Sequence, residues 1–351
     1  MEKTKFISQR QLRLTVLICL FASTVINPFE NISNTGAQGQ IIGMCINVFI
    51  YAIILFPIFE LLKTCDLAKT LSQKCVICKA VSVVIFLLIA FDGVGQMFVT
   101  EKFYRYVSDN LLPIWLFIVL FVLVAAYGAR MGLEPIVRTG LVTAVILTFS
   151  LALILVANIS QLSLQNLQFA NSPVLTGVKY ATETFRFPTE WLVYGLLMPH
   201  INFKKSKSFV SLLPFFLAVI VALSFAKELV LGEFAGLQLQ PLYTLARIGS
   251  ISVFTRLDAL HVCVWVMLAM FKVAVYFYIL KKILSQCIFP KLKNKSTAIC
   301  MFSLLLCTML FYSFQNINFA YYTSFASVIT AVLIIIILIT KGVAYEKESI
   351  G

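Results

Sequence analysis

Charged residues are scarce in this chain. They make up 12% of the 351 residues, whereas 60% are hydrophobic, and a soluble domain carries about a quarter charged residues. The short alternating segments of a transmembrane β-barrel are also missing. An α-helix satisfies its own backbone hydrogen bonds inside lipid. The composition therefore excludes a soluble domain and predicts an all-α integral membrane protein.

Residues that build catalytic or metal centres are scarce as well. The two histidines, His200 and His261, lie at opposite ends of predicted helices, and no Gly-rich phosphate loop, H-E-x-x-H or G-x-S-x-G motif occurs. The pair Cys75 and Cys78 lacks the further thiols or histidines that a tetrahedral zinc site needs. The sequence thus predicts no enzymatic activity, no metal and no cofactor.

Long apolar runs, in contrast, are abundant. A bilayer core needs about 20 apolar residues per helix, and ten runs approach or reach that length. Spans 1 to 10 are predicted at Leu12–Phe29, Ile41–Leu62, Val81–Val99, Leu111–Tyr127, Leu141–Ala157, Phe185–Ile201, Phe209–Leu231, Leu257–Leu280, Ala298–Phe314 and Ser324–Thr340. The first span follows several basic residues, as in a secretory signal, but no cleavage-site pattern follows it, so we interpret it as a retained helix.

The net charge of +13 indicates topology rather than nucleic-acid binding. Lysine and arginine concentrate in the N-terminus, in every second connection and in the C-terminus, and they are sparse in the other connections. This alternation is the positive-inside pattern. It predicts that both termini lie in the cytoplasm.

Ten spans divide into two halves of five. An odd number of spans per half gives the halves opposite orientations, as in the inverted repeats of secondary transporters. We therefore predict one permease-like domain, 1–351, whose repeats are 1–157 and 181–341. Span 1 contains Ala22-Ser23-Thr24 and then Asn27-Pro28, and span 6 contains Phe187-Pro188-Thr189. Both are candidates for the broken helices that form transporter binding sites; simple proline kinks are the alternative.

Three ionisable side chains fall inside the predicted bilayer. Asp92, Glu190 and Lys272 lie well within spans 3, 6 and 8, and a charge at the membrane centre costs about 2.5–3.5 kcal/mol on insertion scales. A carboxylate would keep the lysine charged, and the lysine could then replace a coupling cation. A structural ion pair that only fixes helix register is the alternative.

Two motifs resemble a known family. The stretch Tyr127-Gly-Ala-Arg130-Met-Gly-Leu-Glu134-Pro-Ile-Val-Arg138 resembles the Y-x-A-R-x-G-x-E-x-x-x-R pattern of spore germination permeases, the B subunits of GerA-type germinant receptors. The stretch Phe254-Thr-Arg256-Leu-Asp258 resembles the F-x-x-R-x-D pattern of the same family, with one residue fewer between the phenylalanine and the arginine. Arg130, Glu134 and Arg138 would form one charged ridge on a helix, which could latch an inner gate or dock a partner. A solvated helix end is the alternative.

The resemblance covers nearly the whole chain, with one departure. Relatives have a glycine-containing break in span 1, where this chain has Ala22, Ser23, Thr24 and Val25. That difference implies another nutrient or no ligand of its own.

The resemblance implies a fold of the amino acid/polyamine/organocation permease superfamily and a nutrient sensor in the inner spore membrane. The expected partners are the A and C subunits of the receptor and a small nutrient of the amino-acid class, whose carboxylate would suit the half-helix N-termini. Its ligand-binding candidates are Ala22, Ser23, Thr24, Val25, Phe91, Asp92, Phe187, Thr189, Glu190 and Tyr194. Coupling or gating is expected of Lys272, Arg130, Glu134, Arg138, Arg256 and Asp258. A permease that works alone and a scaffolding subunit are the alternatives.

Overall fold

Helices form nearly all of the backbone in the computed structural model. It describes residues 7–25, 36–64, 66–73, 75–108, 113–167, 172–201, 209–250, 257–312 and 319–349. Within these ranges there are fourteen α-helices, a few single turns of 3-10 helix and no strand. The helices are α1 Gln9–Val25, α2 Ala37–Thr64, α3 Leu67–Leu71, α4 Val76–Ser108, α5 Ile114–Met131, α6 Leu133–Ala157, α7 Pro173–Thr184, α8 Glu190–Leu197, α9 Leu213–Leu231, α10 Phe234–Leu237, α11 Pro241–Ile248, α12 Asp258–Ile283, α13 Ser296–Tyr312 and α14 Phe319–Ser349.

Within the described residues, each predicted span overlaps a helix, and span 6 overlaps only the short helix α8. Five helical segments are long and apolar enough to cross a bilayer, namely Gln38–Lys63, Val76–Val107, Leu133–Ala157, Phe209–Leu231 and Asp258–Ile288. The shorter apolar segments Trp115–Met131, Ser296–Leu310 and Tyr322–Ile337 correspond to spans 4, 9 and 10. The chain is therefore an all-α membrane protein, as its composition predicts.

Span 6 is divided into two helices. α7 ends at Thr184, residues 185–188 are not helical, and α8 begins at Glu190. The break falls at Phe187-Pro188-Thr189, where the sequence predicts it, because proline cannot continue the hydrogen-bond ladder of a helix. The first half-helix begins at Pro173, however, which is earlier than the predicted start of span 6 at Phe185 and of the second repeat at 181. α7 was missed because its residues are too polar for a hydropathy search.

Span 1 is helical through its candidate positions. Ala22, Ser23, Thr24 and Val25 form the last turn of α1, and the hydroxyl of Thr24 donates to the carbonyl of Leu20 in its own helix at 3.0 Å. Residues 26–35, which include Asn27-Pro28, lie outside the described ranges.

The predicted charged ridge does not exist as one helical face. Gly132 lies between Arg130 on α5 and Glu134 on α6, with φ of 104°, which only glycine adopts without strain. Arg138 pairs with Glu134 one turn earlier, at 2.5 Å from Nη2 to Oε1. Since Arg138 is 71% exposed, this pair adds little to stability, and its guanidinium can reach a partner.

α12 is the central helix of the bundle. It is apolar on all sides and packs against α1, α4, α5, α6 and α8, as expected of a helix that lies inside a larger assembly. In the segment Asp258–Ile288, 61% of the most apolar 18-residue stretch is buried inside the protein, whereas in Gln38–Lys63 the share is 28%. A side chain in the middle of α12 therefore faces neighbouring helices and not lipid.

Backbone and lysine contacts join the helix ends on one side of the bundle. Lys282 Nζ donates to the carbonyl of Leu196 at 3.1 Å, and the N–H of Ile7 donates to the carbonyl of His200 at 3.1 Å. Lys281 Nζ lies 3.5 Å from the carbonyl of Ala129. The ends of spans 4, 6 and 8 and the start of span 1 thus share one face, as the charge pattern predicts.

Glycine allows α7 to approach α2 closely. A Cβ atom on Gly43 would lie 2.6 Å from Cδ1 of Tyr180 and 2.8 Å from the carbonyl oxygen of Gly177. Gly39, four residues earlier, similarly has no room for a Cβ beside Thr176. This small-xxx-small packing, common between membrane helices, fixes α7 on α2 and so fixes one side of the break in span 6.

We predict that Gly43→Ala lowers the Tm of the purified protein. The added methyl group must displace the backbone of α7, and such overpacking costs about 1–3 kcal/mol. Gly128→Ala is the control, because its Cβ would be in ordinary van der Waals contact, at 3.7 Å from the Ala274 methyl group and 3.9 Å from Cγ1 of Ile136. A Tm of Gly43→Ala equal to that of Gly128→Ala in a detergent unfolding assay would contradict the close packing of α7.

Candidate functional site

Lys272 lies in the middle of α12, and only 1% of it is exposed. Leu268, Ala269 and Val275 around it are also buried, so its ammonium group cannot reach water along its own helix. A buried charge needs a compensating charge and hydrogen bonds. Both come from other helices.

Two carboxylates flank the ammonium group at equal distance. Lys272 Nζ lies 3.2 Å from Oδ2 of Asp92 on α4 and 3.2 Å from Oε1 of Glu190 on α8. The three intramembrane charges that the sequence singles out therefore meet at one point. Lys272 bridges span 3 and the second half of span 6.

Hydroxyl groups complete the hydrogen bonding of these charges. Lys272 Nζ donates to Ser23 Oγ at 2.5 Å, and the Ser23 hydroxyl donates in turn to Glu190. Thr189 Oγ1 and the Tyr276 hydroxyl donate to Asp92 Oδ2 at 2.5 and 2.7 Å. We call Ser23, Asp92, Thr189, Glu190, Lys272 and Tyr276 the Lys272 cluster.

The break in span 6 places two members of the Lys272 cluster. Thr189 immediately precedes α8, and Glu190 is its first residue. A carboxylate in the first turn suits the positive end of the helix dipole. Without the break, the backbone around Pro188 would continue as helix, and these two side chains would point along a different face.

Accessibility differs within the Lys272 cluster. The side chains of Lys272 and Glu190 are each 2% exposed, whereas that of Asp92 is 18% exposed. Ser23 is also half-buried. Asp92 and Ser23 are therefore the most accessible members of the cluster.

The other candidate residues of span 6 pack among aromatic rings. Phe187 lies in the break with its ring edge-on to Tyr51, at 5.7 Å between centroids. Tyr194 is fully buried and packs edge-on against Phe59 and Phe209. Phe91 precedes Asp92 on α4 and is half-buried. The described contacts of Phe187 and Tyr194 thus support the shape of the break rather than the hydrogen bonding of the cluster.

Asp258 is the first residue of α12 and lies away from the Lys272 cluster. It is buried, and the hydroxyl of Tyr243 on α11 lies 3.5 Å from its Oδ2. Phe103 of α4 packs against Tyr243 and against Trp265, whose ring centroid is 4.1 Å away. Arg256, predicted as its companion, lies outside the described residues. α11 thus covers the ends of α4 and α12 with an aromatic layer.

Comparison with known proteins agrees with the fold and the motifs. The model of the family described as spore germination protein matches residues 6–320. The chain belongs to this family. No curated protein sequence matches it.

A structural comparison finds the same fold in a membrane transporter. A Na+-coupled sialic acid symporter, solved in a substrate-bound outward-open state, is similar with a TM-score of 0.67 over 95% of this chain and 79% of that chain. The sequences are 12% identical, so the likeness concerns the fold alone. It agrees with the predicted secondary-transporter fold, and family and fold are both of the permease type.

Sequence reasoning missed two residues that support the site in this spore germination protein. Tyr276 follows Lys272 by four residues, so helical periodicity places both on one face of α12, and this spacing could have identified it. Ser327 on α14 could not have been found, because nothing in span 10 marks one buried serine among several.

Ser327 holds the broken backbone of span 6. Its hydroxyl donates to the carbonyl of Pro188 at 3.4 Å and accepts from the indole Nε1 of Trp191 at 3.1 Å. Ser327 is fully buried. The carbonyl of Pro188 lies in the non-helical segment 185–188, between α7 and α8, where no helical N–H is available to it. Span 10 therefore supplies a hydrogen bond that replaces the helical one lost at the break.

We predict that Ser327→Ala changes the environment of Trp191. In a background of Trp115→Phe and Trp265→Phe, the fluorescence of Trp191 should shift to shorter wavelength, because its indole loses a hydrogen-bond acceptor, while Ser327→Thr keeps the wild-type spectrum. Loss of a buried hydrogen bond should also lower stability by about 1–3 kcal/mol.

Thr330→Val is the matched control for Ser327→Ala. Thr330 is fully buried on the same helix, but its hydroxyl donates only to Ala326 of that helix among the contacts described, at 2.7 Å. The same spectral shift in both variants would show that the effect is general loosening of α14.

Proposed function

We propose that this protein is the nutrient-sensing membrane subunit of a spore germinant receptor. The observation that carries the proposal is the Lys272 cluster, in which α1, α4, α8 and α12 bring buried charges together beside the break in span 6. Broken helices at mid-membrane are where transporters of this type bind substrate. Membership of the spore germination family supplies the biological setting.

In the proposed mechanism a small nutrient, an amino acid, binds beside Asp92 and Ser23. Its binding shifts the protein between two states that differ at the break. Because Ser23, Asp92 and Glu190 lie on three different helices and share one lysine, a ligand that alters one of these contacts changes the forces on the others. The A and C subunits of the receptor receive the resulting change of shape.

We place both termini in the cytoplasm and the protein in the inner spore membrane. Lys281, Lys282 and Ile7, which is near the N-terminus, lie at one face of the bundle, and this supports the orientation. Arg138, largely exposed at the start of α6, lies on the same predicted side and is the residue best placed to contact a partner subunit.

A proton-coupled amino-acid permease acting alone is the second candidate. The likeness to a symporter fold favours it, and a lysine between two carboxylates could respond to a proton. Uptake of labelled amino acid by the purified protein in liposomes, without other subunits, would favour the permease over the receptor subunit.

Glu190→Gln tests the proposed role of the Lys272 cluster. The variant keeps the shape of the side chain and leaves Lys272 paired with Asp92, so it should insert normally. We expect the nutrient concentration for half-maximal germination to rise at least about tenfold, which corresponds to about 1.4 kcal/mol of lost binding. The readout is the fall in optical density of spores after nutrient addition, with protein amount checked by immunoblot.

Lys272→Met and two controls complete the series. Lys272→Met leaves two buried carboxylates without a cation, and loss of one partner of a buried ion pair costs about 3–5 kcal/mol, so it should lower both response and stability. Lys179→Met and Glu183→Gln remove the exposed pair on α7, whose atoms are 4.0 Å apart, and should change neither. Normal germination of Glu190→Gln spores at every nutrient concentration would refute the assignment.

A further inference from the structure

The charges of the Lys272 cluster do not balance. It contains one ammonium group and two carboxylates, and in the described part of the chain Lys272 is the ion-pair partner of both Asp92 and Glu190. With all three groups ionised, the cluster carries one excess negative charge. In a water-poor membrane interior such an excess is costly.

The hydrogen bonds of Asp92 use one of its two oxygens. The contacts from Thr189, Tyr276 and Lys272 all end on Oδ2. Within the described residues, Oδ1 receives no hydrogen bond. A carboxylate oxygen accepts two or more hydrogen bonds when ionised, so Asp92 keeps its acceptor capacity on one side.

This oxygen belongs to the most accessible charge of the cluster. Asp92 is 18% exposed, against 2% for each of the other two charged side chains. The N-terminus of α8, by contrast, already carries the carboxylate of Glu190. An incoming carboxylate would add a second excess negative charge at this point, whereas an incoming cation would neutralise the first.

We infer that Asp92 is the binding group for a protonated amine of the ligand. The inference rests on the proposed function and names the chemical class that the same site takes: a small molecule with a primary ammonium group, which donates to Asp92 Oδ1. The carboxylate of an amino acid then points away from the cluster. This orientation is the reverse of the one that helix dipoles alone suggest.

The arrangement suits an ammonium group better than a metal ion. An alkali or divalent cation takes a shell of about six oxygen ligands, whereas Oδ2 of Asp92 and Oε1 of Glu190 already accept from Lys272. The described residues contain no group of three or more carboxylate, thiol or imidazole ligands that could hold a metal. An ammonium group carries three directed N–H donors and binds to single acceptors such as Asp92 Oδ1 without a full shell of oxygen ligands.

The test measures thermal unfolding of the purified full chain in nanodiscs with three salts at equal ionic strength: ethylammonium chloride, sodium chloride and sodium propionate. Ethylammonium should raise the Tm by about 2 °C or more relative to the sodium salts, in a saturable manner. Propionate should give no stabilisation. Equal Tm values in all three salts, or stabilisation by sodium chloride equal to that by ethylammonium chloride, would overturn the assignment.

Two variants separate the anchor from the excess charge. Asp92→Asn and Glu190→Gln both make the cluster neutral. Only Asp92→Asn removes the Asp92 carboxylate, which is the proposed anchor for the amine. Ethylammonium stabilisation should disappear in Asp92→Asn and persist, weakened several-fold, in Glu190→Gln. Equal loss in the two variants would show that net charge alone attracts the amine and would refute the anchor role. If Asp92→Asn fails to fold, the salt comparison on the wild-type protein and on Glu190→Gln decides.

Failure of this inference is distinguishable from failure of the proposed function. Spores that germinate abnormally with Glu190→Gln, combined with a protein that ignores ethylammonium, would keep the sensing role and reject the amine anchor. Ethylammonium binding combined with normal germination of Glu190→Gln spores would keep the amine anchor and reject the sensing role of the cluster.

Discussion

The rest of the structure depends on the burial of one lysine. Lys272 lies on the central helix with 1% of its surface exposed, and a charge in that position is tolerable only if other helices bring compensating groups to it. α4 supplies Asp92, α8 supplies Glu190 and α1 supplies Ser23. The positions of four spans relative to one another are therefore tied to the solvation of a single ammonium group.

The break in span 6 follows from the same requirement. Glu190 and Thr189 reach the cluster because the helix stops at Thr184 and restarts at Glu190, and the two half-helices are held separately. Glycines 39, 43 and 177 bring α7 against α2, while Ser327 of α14 binds the carbonyl that the break leaves without a helical donor. A site held by several helices with different supports can change shape without general unfolding, as expected of a sensor or a transporter.

Hydropathy was enough to predict the spans but not the whole of span 6. Each of the ten apolar runs overlaps a helix within the described residues, because lipid permits few other backbone structures. α7 escaped prediction since its face toward α2 needs only small residues, not apolar ones. The ridge of Arg130, Glu134 and Arg138 was wrong as a continuous face, because the spacing assumed a helix through Gly132, whose positive φ ends α5 and begins α6.

The sequence by itself determined the class of the protein, its spans and the residues worth attention. Charges inside an apolar run are rare enough to be recognised one by one, so Asp92, Glu190 and Lys272 stood out. Only the tertiary structure decided that they meet, that Tyr276 and Ser327 support them, and that Asp92 is the accessible member. These facts depend on how helices distant in the chain cross, and a hydrophobic pattern carries no information about crossing or about which oxygen of a carboxylate accepts the hydrogen bonds.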